Sequence, residues 1–582
     1  MGCRQAVWLA TVASLLSAVG LASAAELGSP ESYRRPGSTR LPPLEPYFHR
    51  EEPPRPSRLR ALPGALAVPD RWRLVEDIGV KERWWDPYHQ NTLKGDRPIF
   101  GQDWFLGVGF LSDTLVNPRR MPVPIAGPSS RRPGALDTFG GGDQLGFNQN
   151  FILTTSITKG DTVFRPPDLE LRFTTVGNVN FASVEEIGIL RVNPEDGHTR
   201  TDGHIALQEA FLDYHLRNKS DRYDFDSIRV GIQRFQSDFR GFLYLDEALG
   251  VRLFGNFANN RIQYNAAYFR RFDKDINSGL NRTLQLRNDD VFILNGFFQD
   301  FPLLGFTTEA LVLYNRNRDP GFAFNSNGFL ERPAPIGDET PSAYDIVYAG
   351  IGGDGHFGRL NLTFNYFLAA GHDDHNSIAQ RSVDVFAQYF LGEASVDFDW
   401  YRLKTFVAWA TGDEDPFDDK ANGFDAVFEN PNFAGAVTSF WVPQSIPLIG
   451  GGGVALSGRN ALLPSLRSSK EKGQANFVNP GLLLVGAGAD FDILPELRVL
   501  GNISWLAFNH TEPLEVVRQQ PRVAKDIGFD FSAGVIYRPL FIENVVFNVS
   551  GAVLLPGQGM KDLYAHRYDL FYSAIFNAVL TY

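Results

Sequence analysis

Five aspartates crowd one short stretch, ATGDEDPFDDKANGFDAVFEN: Asp413, Asp415, Asp418, Asp419 and Asp425. Carboxylate oxygens at that density suit a hard divalent cation such as Ca2+. The spacing departs from a helix–loop–helix calcium loop, because Phe417 and Asp418 hold the fifth and sixth positions counted from Asp413. A solvated acidic loop is the competing reading. GHDDHN, with His372 and His375, offers too few ligands for a zinc site. GIGGDG, Gly350 to Gly355, fits a nucleotide-loop pattern by letter. Phosphate binding there needs a following helix, and HFGRLNLTF reads as a turn and a strand. No G-x-S-x-G or H-E-x-x-H occurs, and nothing pairs His215 with Ser504. The expectation is a protein that is not an enzyme and has no cofactor beyond a candidate Ca2+ in an external acidic loop.

The elements that would position these groups are strands. In LELRFTTVGNVNF, Leu169, Leu171, Phe173, Val179 and Phe181 share one parity, and Glu170, Arg172, Asn178 and Asn180 share the other. RIQYNAAY, NLTFNYFL and IGFDFSAGVIYR repeat the alternation. Period two marks a strand with one apolar and one polar face. Many such dyads in one chain fit a transmembrane barrel, apolar toward lipid and polar toward water. A soluble sandwich gives the same alternation but needs more turns of its own kind. The composition agrees: 56 Gly, 48 Phe and 19 Tyr against 3 Met favour strands and turns.

The connections support closure. From FYSAIFNAVLTY (residues 571–582) backwards, long and short links alternate. LPEL, YRL, GHFG, FPLL and ANN are short; the segment from Gly412 to Pro480 is the longest. The count comes to about 18 antiparallel strands, an even number, with short periplasmic turns and long extracellular loops. The first strand is expected near Gly101–Leu111. Loops as long as Gly412–Pro480 are usually functional, and its mixed composition suggests that part folds inward and narrows a pore.

Parity then assigns a water-facing lining: Glu170, Arg172, Glu209, Asp213, Arg229, Arg252, Arg261, Glu309, Asp384, Asp397, Asp399, Arg498, Asp530 and Asp569. Carboxylates outnumber arginines, so a modest cation preference is expected. It should fade with salt, because the Debye length is ~8 Å at physiological ionic strength.

Upstream lies a different composition. Arg4, the apolar residues 6–21 and Ala22-Ser23-Ala24 read as a secretory signal peptide over residues 1–25. Cys3, the single cysteine, falls inside it, so no disulfide or thiol chemistry is expected downstream. Residues 26–98 form a Pro/Arg-rich periplasmic extension, placed to meet an acidic periplasmic partner, to plug the mouth or simply to lead into the barrel of residues 99–582. The formal net charge of −12 argues against nucleic acid.

The closing stretch resembles the C-terminal signal of bacterial outer-membrane proteins, carried here by Phe576, Ala578, Leu580 and Tyr582. That resemblance implies the barrel-insertion machinery and outer-membrane lipid as partners. A narrower resemblance lies in Gly412, Asp413, Pro416, Asp418, Asp419, Lys420, Gly423, Phe424 and Asp425, which are similar to the acidic external loop of alginate-export-type porins. It implies an 18-stranded barrel that passes a polymer or small solutes. The mixed, slightly acidic lining departs from the arginine-lined bore of an alginate exporter. The expected function is a porin-like outer-membrane channel; a structural barrel that scaffolds an envelope complex is the alternative.

Overall fold

A computed structural model of the chain describes residue 72 and residues 79–582, apart from 122, 124–128, 131–139, 161–165, 221–223, 436–437, 441–465, 468, 540–541 and 565–568. The candidate signal peptide and the proline-rich stretch up to residue 71 lie outside the described residues.

Twenty strands hydrogen-bond into one sheet, of which Lys94–Phe100 and Lys420–Ala421 are accessory. The other eighteen are the staves of a closed antiparallel barrel. In chain order they are β1 (Trp104–Arg120), β2 (Asp143–Lys159), β3 (Leu169–Val184), β4 (Thr199–Asn218), β5 (Phe225–Gln236) and β6 (Leu245–Phe257). Next come β7 (Ile262–Lys274), β8 (Asn281–Gln299), β9 (Phe306–Asn317), β10 (Tyr344–Phe357), β11 (Leu360–Asn376) and β12 (Arg381–Phe398). The last six are β13 (Tyr401–Ala410), β14 (Leu482–Leu494), β15 (Leu497–Ala507), β16 (Asp526–Tyr537), β17 (Val545–Pro556) and β18 (Phe571–Thr581). Closure runs through β18 on β1, with Leu111 opposite Thr581 and Val116 opposite Phe576.

The sequence alternation becomes two environments. On β3, Glu170, Thr174, Asn178 and Asn180 are buried inward, whereas Phe173 and Val179 are exposed outward. Phe151, Ile205, Leu294, Phe386, Phe529 and Phe576 continue the apolar exterior around the wall. Such a continuous exposed band belongs in lipid. Closure pairs the backbone groups that lipid cannot hydrogen-bond. Among the described residues no helix is long and apolar enough to cross a membrane; the exposed apolar band lies on strands.

Links 358–359, 399–400 and 495–496 are tight, and 121–142, 318–343 and 411–481 are long and lie at the opposite end. Several strands outrun their sequence-based limits. β1 continues to Arg120, and β11 reaches Asn376, which carries His372 and His375 on a strand end instead of a loop tip.

The seam has a further part. The described pairs of β18 with β1 run from Arg119–Ser573 to Phe110–Tyr582, and the edge of β1 from Trp104 to Gly107 lies outside them. The accessory strand Lys94–Phe100 fills the gap, with Lys94 opposite Gly107 and Phe100 opposite Trp104. An open strand edge is an aggregation hazard, and this pairing removes it. The sheet therefore begins at Lys94, inside the stretch read as extension. Residues 94–98 thereby belong to the wall at its seam.

Candidate functional site

Several described connections fold into the barrel; 275–280, between β7 and β8, sets Leu280 against Val176 of β3 and Ala206 of β4, and two others meet each other. The first is 237–244, between β5 and β6. Asp238 bends it: one carboxylate oxygen accepts the N–H groups of Arg240, Gly241 and Phe242 at 3.0, 2.8 and 3.1 Å, and the other accepts Leu243 N–H at 3.0 Å. A buried carboxylate that takes several backbone N–H groups satisfies donors that the turn would otherwise orphan. Gly241 has φ +75, where a side chain would be strained and would meet Asn430 O.

The second is 411–481, between β13 and β14. Its front half runs beside the first connection. Phe428 N–H donates to Leu243 O, Leu245 N–H to Phe428 O, Asn430 N–H to Gly241 O and Asn432 N–H to Arg240 O, at 2.8 to 3.2 Å. The described part then crosses the bore. Thr438 meets Ser532 at 3.2 Å and Asn502 at 3.3 Å, Ser439 donates to Asp530, and Phe440 stacks on Phe571. The inward part expected within this loop thus lies in its flanks; residues 441–465 are outside the described residues.

Apolar contact and buried charge hold the loops. Phe424, Phe428, Phe433 and Phe477 join the inward faces of β7 to β14, including Phe269, Tyr348, Phe367 and Tyr389, in one core. Arg467 contacts Asp425 at 2.8 Å and Glu429 at 3.4 Å, and Lys470 contacts the same two carboxylates. Burial pushes both carboxyls above their ordinary range, with Arg467 opposing. Nearby, Arg271 pairs with Asp289 at 2.7 Å and covers the Phe428 ring at 4.5 Å.

This cluster yields two expectations. Removing one partner of a buried charge set costs about 3–5 kcal/mol, because it strands the other. Arg467→Gln should therefore free the loop for cleavage by chymotrypsin while the barrel stays folded. Cleavage no faster than in the parent chain would refute the anchoring role. The second concerns pH. Carboxyls with raised values contribute stability that is complete below the ordinary carboxylate range and is lost as pH rises through the raised values. Loop-opening steps in single-channel records should become more frequent from acid toward neutral and alkaline pH, and a trend in the other direction would contradict it.

The opposite wall carries a different lining. On β3 to β6, inward arginines alternate with phenylalanine rings. The Arg172 guanidinium lies 5.5 Å from the Phe211 ring centre, and Arg229 lies 4.2 Å from Phe211 and 5.5 Å from Phe254. Arg252 lies 4.5 Å from Phe254 and 5.2 Å from Phe235. Ring faces attract guanidinium groups and keep them extended. Arg172 pairs with Glu170 and Arg229 with Asp213, at 2.6 and 2.7 Å. Arg252 instead donates to the Asn265 side-chain oxygen at 2.8 Å. All three remain partly accessible from inside.

Of the lining read from the sequence, Glu170, Arg172, Glu209, Asp213, Arg229, Arg252, Glu309, Asp397, Arg498 and Asp530 have inward parity. Glu309 and Asp530 are buried beneath the loops. Four residues are corrected. Arg261 and Asp399 lie in turns, and Asp569 precedes β18, so none has a strand face. Asp384 shares parity with exposed Phe386 and points outward, facing His372 at 3.1 Å. The reason is physical: Val383, Val385, Ala387 and Tyr389 face inward loops, so the apolar side of β12 here is the inner one. Sequence reading missed Lys404–Asp490, Arg402–Asp397, Arg498–Asp492 and Arg240–Glu393, which pair inside or at the rim. Cross-strand register of opposite charges was the available signal for the first three; Arg240 sits in the 237–244 connection, which register does not reach.

The acidic run does not present a common oxygen set. Asp413 is buried and accepts the N–H groups of Asp415 and Asn422 at 3.1 and 2.9 Å; burial lifts its pKa to about 6. Asp415 accepts Phe417 N–H, Asp418 accepts Lys420 N–H, and Asp425 belongs to the Arg467 cluster. Among the described residues no three His, Cys, Asp or Glu side chains converge as metal ligands.

Fold and lining together define a closed antiparallel barrel of eighteen strands with an apolar exterior and a polar interior. No family model and no curated protein matches the chain. Among solved structures it is similar in fold to OccK7 (OpdD) of Pseudomonas aeruginosa, at 9% identity and TM-score 0.45, over 82% of this chain and 98% of that one. It is likewise similar to OccK9 (OpdG) of the same organism, at 12% identity and TM-score 0.43, over 82% and 98%. A BenF-like porin from Pseudomonas fluorescens Pf-5 stands at 10% identity and TM-score 0.43, again over 82% and 98%.

Proposed function

We propose that this chain is a non-enzymatic channel of the bacterial outer membrane that passes small polar solutes along the β3–β6 wall. One observation carries the reading. The loops share one core with inward residues of β5 to β18, while the inward arginine–phenylalanine row on β3 to β6 keeps partial access to water. A barrel that served only as a scaffold would gain nothing from a polar, accessible strip beside a packed one. Conductance of the purified protein in a planar bilayer is the test, and a protein that inserts without conducting would favour the scaffold.

The lining bears on the solute. With Asp384, Asp399, Asp569 and Arg261 removed and Glu309 and Asp530 buried, the accessible charges pair nearly one to one. Overall ion selectivity should be weaker than the sequence reading expected. Arg252, whose contacts are Asn265 and two rings, is the group best placed to meet an anionic part of a solute. Arg252→Gln should move the reversal potential in a KCl gradient toward cation preference, most clearly at low salt. An unchanged potential would place the ion path elsewhere.

The alginate-export-type relationship is the finer reading of the Gly412–Asp425 loop. The paired lining argues against a polyanion as cargo. We assign outer-membrane lipid and the insertion machinery as partners, the latter through Phe576, Leu580 and Tyr582.

A further inference from the structure

We propose that residues 81–100 form a membrane-interface anchor, seated by Trp84, Trp85 and Tyr88 in the phospholipid headgroup layer at the periplasmic rim. The inference rests on the reading of the barrel as membrane-spanning. Tyr582 locates the segment. It shares the parity of lipid-facing Leu580 and Phe576 and pairs with lipid-facing Phe110. Around its side chain, Asn91 Nδ2 donates to the phenol oxygen at 2.9 Å, the phenol donates to Trp84 O, and Lys94 Nζ stands 4.0 Å from the ring centre. The segment is therefore clasped to the outer side of the wall, away from the bore. Tyr88 adds a tie to Asn544, in the turn before β17.

Its free face is strongly aromatic. Trp84 and Trp85 are each 63% exposed, Tyr88 69% and Phe100 74%. The two indoles touch edge to face at 5.9 Å and leave their outer faces bare. Trp and Tyr are the residues that favour the membrane–water interface, where ring and polar edge are both solvated. The patch continues the lipid-facing band through Tyr582 and Phe110, and that continuity selects lipid as occupant. Charge agrees. Glu82 accepts Thr92 N–H at 2.9 Å and Asp86 accepts Tyr88 N–H at 3.0 Å, so the acids serve the local fold. Lys81 and Arg83 are exposed beside the indoles and can meet phosphates.

The test uses the full chain with Cys3→Ser, reconstituted in phosphatidylethanolamine–phosphatidylglycerol vesicles. An environment-sensitive fluorophore is attached through Trp85→Cys, with Phe110→Cys and Asn260→Cys as lipid-facing and turn references. At position 85 we expect blue-shifted emission, quenching by lipids brominated near the headgroup, and protection from aqueous iodide relative to position 260. Iodide access equal to position 260 would overturn the anchor and leave the patch free for a periplasmic protein. If position 110 also escapes lipid quenching, the barrel reading itself falls.

Discussion

Deletion of Phe576–Tyr582 is expected to abolish the heat-modifiable folded band and leave protease-sensitive chain outside the membrane. The segment carries the β18 pairs with β1 from Val116–Phe576 to Leu111–Thr581, and those with β17 from Val549–Phe576 to Val545–Leu580. Without it two strand edges stand open at membrane depth. Each unpaired backbone group in hydrocarbon costs several kcal/mol. A whole domain is stable by only about 5–15 kcal/mol, so a few such groups decide the outcome. The deletion also removes Tyr582, to which Trp84, Asn91 and Lys94 are fastened. A truncated chain that still migrates as a folded barrel would show that β18 is dispensable for closure.

The wall was legible because its signal is strictly local. Alternation on Leu169–Phe181 needs no partner to be read, and short links such as 358–359 and 495–496 fix strand order without long-range information. The strand number followed from these two signals. What failed to show was where the interior stops being watery. Parity assumes that the apolar face is the lipid face, which holds for Phe529 and Phe531. It fails on β12, where Val383, Val385 and Tyr389 face Phe424 and its neighbours, which are distant in sequence. Tertiary burial made both faces apolar there and misassigned Asp384. The structural part played by the acidic run was hidden for a related reason. Its aspartates looked like ligands by density, but Asp413 satisfies loop backbone and Asp425 neutralises Arg467, neither of which spacing reveals. The arginines on β3, β5 and β6 were found by parity, because there the polar parity is also the inner one.

Replacing Asp413–Asn479 with a short Gly-Ser link should raise single-channel conductance by a large factor and lower the melting temperature. The replacement is geometrically mild, because Ala410 and Leu482 are already paired neighbours on β13 and β14. It removes the ribbon bonded to 240–245 and the crossing through Thr438 and Ser439 to the far wall. The bore then widens from an eccentric strip to most of the barrel section. Conductance rises with open cross-section, whatever the ion. The stability cost has its own cause. Tyr348, Phe367 and Tyr389, now buried against the loop, would face water inside the pore. At roughly 25 cal/mol per Å² of apolar surface, a few aromatic side chains cost several kcal/mol. The two effects should appear together, since the same contacts narrow the pore and stabilise it. A lower melting temperature with unchanged conductance would separate them, and would mean that the loop packs on the wall without limiting flow.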